Sequence, residues 1–125
     1  MSAGWVGVDL DGTLAVYHGW DTAEHRIGEP IPKMVERVRG WLRDGKTVKI
    51  FTARVGKGND VAKQTAMVKS WCLSHLGEVL EVTCCKDYGM YELWDDRCVQ
   101  MQTNTGLTVV EFTAALQGVA KQPQE

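Results

Sequence analysis

Long apolar runs are missing from this chain. None of its 125 residues lies in a stretch approaching the ~18 consecutive apolar residues that a membrane-spanning helix needs, which sets a helical membrane protein aside. Residues 1–4 lack the charged segment followed by an apolar one that marks a secretory leader, so a cytosolic protein is expected. Paired cysteine spacing is missing as well. Cys72, Cys84, Cys85 and Cys98 fit neither a C-x-x-C metal motif nor a disulfide framework, and they are expected to be reduced, mostly buried thiols. Neither sign of charge is in excess. Fourteen Lys and Arg against sixteen Asp and Glu leave a net charge of −2, too little for a global field that draws nucleic acid or anionic membrane, although a local basic patch stays open. Internal repeats, low-complexity segments and the Gly-x-x-x-x-Gly-Lys-Ser/Thr phosphate loop are all absent.

What is there is an ordinary globular composition, 44% hydrophobic and 24% charged. Residues 1–125 read as one domain, long enough to bury roughly two-thirds of the surface of the unfolded chain. The most informative stretch is Trp5-Val6-Gly7-Val8-Asp9-Leu10-Asp11-Gly12-Thr13-Leu14. Its first four residues have the length and β-branched content of a buried strand, and Gly12 supplies a residue free to take positive φ at the turn. Two carboxylates thus arrive at the carboxyl end of a strand, where open α/β sheets bind ligands. Taken alone, Asp-Leu-Asp-Gly also fits a polar turn whose acids cap backbone N–H groups.

Residues 15–32 show no sustained period and read as a loop or small hairpin hanging over that strand end. Tyr17 and Trp20 fit either the edge of the core or a substrate contact; His18 and His25 fit either surface or substrate. Helical spacing then begins at Pro32, with Met34, Val35, Val38, Trp41 and Leu42 on one face and Gly45 at the C-terminal end. Thr47 to Phe51 is predicted as a strand running into Thr52-Ala53-Arg54. A glycine-rich loop with Lys57 follows, offered either to an anion or simply to solvent. The next predicted helix spans residues 61–76, with Asn59 or Asp60 as N-cap. Strands are predicted over residues 79–85 and 91–94, with a short fifth over residues 98–102. Thr108-Val109-Val110-Glu111 is a capping box opening a last helix to about residue 120, and the tail, residues 121–125, is expected to fray.

The alternation predicts a three-layer α/β/α Rossmann-like domain with a mostly parallel sheet. Asp9/Asp11, Thr52/Arg54, Lys86 and Asp95/Asp96 each follow a predicted strand, so they are expected to gather at one edge, which weighs against the polar-turn reading.

In these residues the chain resembles the haloacid dehalogenase-like superfamily of phosphohydrolases, as a small member without a cap domain. The four motifs of that family are matched in order by Asp9-Leu10-Asp11-Gly12-Thr13, by Thr52 in Phe51-Thr52-Ala53-Arg54, by Lys86 and by Asp95-Asp96, over residues 5–97. The order differs from that of response-regulator receivers, whose lysine comes last. The resemblance implies that Asp9 is a nucleophile forming an aspartyl phosphate and that Asp11 is the acid and then the base. It implies that Thr52 and Lys86 steady negative charge, and that Gly12, Thr13, Ala53 and Arg54 lie on the substrate. Mg²⁺ is the implied cofactor, held by Asp9, Asp95 and Asp96 with the backbone carbonyl of Asp11. Arg54 and Arg97 fit either substrate binding or salt bridges to nearby acids.

Neither gap between motifs has room for a cap, so an open site with residues 15–32 as its flap is expected. An open site suits a bulky phosphomonoester: a nucleotide, a nucleic-acid end or another macromolecular phosphate, with Tyr17 or Trp20 stacking on a base. Nucleic acid enters only as substrate, no membrane partner is implied, and self-association is left open. A phosphotransferase and a non-catalytic phosphate-binding module are the alternatives.

Overall fold

The computed structural model describes residues 4–20 and 24–121. Its elements are β1 (Trp5–Val8), α1 (Pro32–Arg43), β2 (Val48–Phe51), a 3₁₀ turn (Ala53–Val55), α2 (Val61–Leu76), β3 (Glu81–Thr83), β4 (Met90–Trp94) and α3 (Val109–Lys121). The four strands form one sheet in the order β3-β2-β1-β4, and every pairing is parallel. The result is the expected α/β fold, Rossmann-like and three-layered, with the sheet wholly parallel rather than mostly so. The tail beyond Lys121 and residues 21–23 of the flap lie outside the described residues.

The order of the strands follows from connections that step outward from β1. α1 carries the chain from β1 to β2 and α2 from β2 to β3, always in one direction, so both helices cover the same face and touch each other. Val6, Val8, Val48 and Ile50 turn that face of the sheet towards Met34 and Val38 of α1 and Val68, Trp71 and Cys72 of α2 in one core. α1 is docked further by Trp41 against Trp94, with ring centroids 5.1 Å apart. The chain then returns from β3 past β2 and β1 through residues 84–89, with no helix, to place β4 on the other side of β1. On that side Trp5 is buried, its indole N–H donating to Asp87 at 2.9 Å and Lys49 lying 4.6 Å over its ring. The switch in direction falls between β1 and β4, where parallel sheets open a crevice.

β2 begins one residue later than the sequence reading and β4 one residue earlier, and two larger differences lie in β3 and the fifth strand. β3 is shorter than residues 79–85, and this leaves Cys84 and Cys85 exposed beyond its end; with Cys98 also exposed, only Cys72 is the buried thiol that was expected of most of the four. The fifth strand reduces to one bridge between Met101 and Thr108, because Asn104 and Gly106 take positive φ in the turn between them. The capping box forms as read: the Thr108 amide donates to Glu111 and the Glu111 amide to Thr108 Oγ1, each at 2.9 Å.

Candidate active site

The site begins with alternation past the end of β1. Leu10 and Leu14 are fully buried, so Asp9 and Asp11, on either side of Leu10, are directed away from the core towards the crevice. The loop is closed on the Leu10 carbonyl, which accepts the amides of Thr13, Leu14 and Ala15. Asp9 is pinned by its own amide, which donates to the Trp94 carbonyl at 2.8 Å and so continues the β1–β4 ladder one residue beyond the strands. That bond brings Asp95 and Asp96 beside Asp9.

Oxygens from these three carboxylates lie within 4.8 Å of one another. The Thr13 hydroxyl sits between them, 3.3 Å from Asp9 Oδ2 and 3.4 Å from Asp96 Oδ1, and accepts the Asp96 amide at 3.0 Å. Gly12 has φ +95°, which favours glycine, and a Cβ there would stand 2.6 Å from Asp96 Oδ2 and displace that carboxylate. Burial, then the charges of Asp95 and Asp96, push the Asp9 carboxyl up to about 7. Three crowded hard oxygen donors, one of them destabilised as an anion, fit a divalent cation of the Mg²⁺ or Ca²⁺ type.

One cavity of about 750 Å³ collects what the strand ends bring: Asp9 and Asp11 from β1, Thr52 and Arg54 from β2, Cys84 from β3, and Asp95, Asp96 and Arg97 from β4. Tyr17 and Trp20 of the flap form part of its wall. Thr52 is buried, and its Oγ1 accepts the Arg54 amide at 3.1 Å, which leaves the hydroxyl proton free to donate into the cavity. Lys86 is exposed on the crossover between β3 and β4, two residues beyond Cys84, and is not among the residues that line this cavity. The lysine on the wall is Lys57, from the glycine-rich loop before α2.

Arg54 is placed differently from the substrate contact the resemblance implies. It is 3% exposed, and its guanidinium grips Asp11 with both ends of the fork, Nε to Oδ2 at 2.7 Å and Nη2 to Oδ1 at 3.0 Å. Its remaining N–H groups donate to the His25 carbonyl, the Arg26 carbonyl at 3.2 Å and Gln64 Oε1 at 3.0 Å. No donor is left for a ligand. Of the two fates open to it, Arg54 takes the salt bridge.

Gln64 escaped the sequence reading. It is 1% exposed at the head of the α2 stripe continued by Val68, Trp71 and Cys72, and one polar residue at the start of an apolar stripe was the available signal. The flap is a small hairpin-like turn: Val16 donates to Glu29 and Ile31 to Leu14, each at 2.8 Å. Gly28 is required there, since a Cβ would fall 2.0 Å from the Val16 carbonyl oxygen. Trp20 stacks on His25, with centroids 4.0 Å apart, and lies 4.9 Å from the Arg54 guanidinium carbon.

No family model matches the chain, and no curated protein does. A solved structure of a conserved protein from Bacteroides thetaiotaomicron is similar to it, with a TM-score of 0.51 and 16% identity over 98% of this chain and 94% of that one. At that identity the likeness shows the α/β fold alone. Among the described residues no helix is long and apolar enough to cross a membrane.

Proposed function

We propose that the protein is a Mg²⁺-dependent phosphomonoesterase of the haloacid dehalogenase-like type that works through an aspartyl phosphate on Asp9. The observation that carries this reading is the meeting of the Asp9/Asp95/Asp96 cluster with Asp11 and Thr52 in one cavity at the strand ends.

In this reading a carboxylate oxygen of Asp9 attacks phosphorus, the bond to the leaving oxygen breaks, and water later attacks the aspartyl phosphate to regenerate the carboxylate. Mg²⁺, when bound by Asp9, Asp95 and Asp96, neutralises charge between nucleophile and phosphate. Thr13 holds Asp9 and Asp96 in mutual register, while the free proton of Thr52 is offered to a phosphoryl oxygen. Asp11 gives a proton to the leaving oxygen and takes one from the attacking water. Lys57 stands where a cation can steady the phosphoryl group, a role the family resemblance had given to Lys86. The broad opening and the aromatic wall of Tyr17, Trp20 and Phe51 suit a phosphate carried on a bulky or planar group.

Phosphate release from aryl phosphates, nucleotides, sugar phosphates and end-phosphorylated oligonucleotides, with Mg²⁺ or EDTA, tests the reading. Release that needs both Mg²⁺ and Asp9 is expected, with Asp9→Asn inactive. Release that survives EDTA or Asp9→Asn would overturn it.

A further inference from the structure

Arg54 joins three parts of the molecule that chain order keeps apart: Asp11 after β1, Gln64 on α2, and the flap through the carbonyls of His25 and Arg26. Such use of a guanidinium has a geometric consequence. A fork gripping both oxygens of a carboxylate fixes its plane as well as its position, which a single bond from lysine cannot do. A carboxylate offers about four lone-pair sites, and Arg54 occupies two of those on Asp11. The others remain for a leaving oxygen or a water in the cavity that Asp11 lines. The anchor of the fork is itself stiff, because Gln64 is buried and its Nε2 lies 3.5 Å from His25 Nδ1. Trp20, stacked on His25 and 4.9 Å from the guanidinium, places a cavity-wall residue directly on this assembly.

We infer that Arg54 is a positioning residue that ties the orientation of Asp11 to the seating of the flap, so that a leaving group resting on Tyr17 and Trp20 bears on the side chain that aims the acid. The inference rests on the phosphomonoesterase reading for the role of Asp11, but the tie between Asp11 and the flap stands on contacts alone. It distinguishes Arg54 from a substrate-binding arginine, which keeps donors free, and from a merely structural one, whose loss weakens all substrates alike.

The functional test compares Arg54→Lys with wild type on 4-nitrophenyl phosphate, whose leaving group departs without a proton, and on adenosine 5′-monophosphate, whose alkoxide needs one. With the acid misaligned, kcat/KM, which reports the steps through departure of the leaving group and not the later attack of water that both esters share, is expected to fall about 100-fold on the nucleotide, at the low end of acid–base contributions, and less than about 5-fold on the aryl ester. Equal losses on both substrates, or none on either, would overturn the inference. The second test needs no turnover and no substitution of Arg54. Hydrogen exchange at the Val16 and Ile31 amides, which bond across the flap, is compared between wild type and Asp11→Ala. Faster exchange in the variant is expected, and unchanged protection would break the tie. If the wild type released phosphate from neither ester, the phosphatase reading would fall, while the exchange experiment would still decide whether Arg54 links Asp11 to the flap.

Discussion

Asp9 bears the largest electrostatic burden in the site, and the sign of its effect on stability follows from its displaced titration. The folded carboxyl titrates near 7 against 3.8 in the unfolded chain, mainly because it is buried and secondarily because Asp95 and Asp96 face it. Between those values the folded state binds more protons, so the Asp9 contribution loses stability as pH rises from about 4 to about 7 and stays lost above. In EDTA, Asp9→Asn is therefore expected to melt above wild type at pH 8, with the gap closing towards pH 4, as thermal melts across pH would record. Gly12 bears the steric counterpart. Gly12→Ala forces a side chain into Asp96 at a positive φ, and a loss of about 1–3 kcal/mol with weakened metal binding is expected from denaturant titration and calorimetry. The two lysines are separated by the same reasoning: Lys57→Ala should lower kcat/KM about 10-fold or more, and Lys86→Ala should change it little, because only Lys57 lies on the cavity wall. The reverse order of losses would return the role to Lys86.

At the scale of elements, stability is distributed unevenly. α2 is fastened at its start by Asp60, whose Oδ1 accepts the Lys63 amide at 3.1 Å, at its end by Gly77 with φ +87°, and along its buried stripe to the core. α3 packs extensively against no other described element, and Val110 and Leu116 on it are 78% and 56% exposed. Ending the chain after Thr108 should consequently shift Tm by less than about 3 °C, whereas Asp60→Ala should cost about 1 kcal/mol through loss of its cap. A large drop on truncation would mean that α3 is covered in solution by a surface of its own chain or of another copy. The elements were legible in the sequence to different degrees for a physical reason. α2 announces itself by a cap, a stripe and a terminal glycine, all local; the limits of β3 depend on how far β2 extends beside it, which no local pattern records.

For the whole molecule, the proposed binding of an ion would be coupled to folding. The three carboxylates converge only in the folded sheet, so Mg²⁺ at 100 times its Kd should raise stability by about 2.7 kcal/mol, and Asp95→Asn combined with Asp96→Asn should abolish that gain in melts with and without Mg²⁺. The order of the strands is what makes the cluster. β4 could have joined the sheet beyond β3; because it pairs with β1 instead, Asp95 and Asp96 meet Asp9.

The chain by itself determined the strand-and-helix alternation, the delivery of Asp9, Asp11, Thr52 and Asp95/Asp96 to strand ends, and the caps of α2 and α3. These depend on periodicity and on the conformational preferences of a few residues in succession. Tertiary structure alone decided that Lys57 lines the cavity and Lys86 does not, that Arg54 spends its donors on Asp11, Gln64 and the flap, and that Asp9 is pushed towards neutrality. Each of those outcomes is a distance between residues remote in the chain, set by which strands pair and which loops cross, and distances of that kind are not written in any local stretch of sequence.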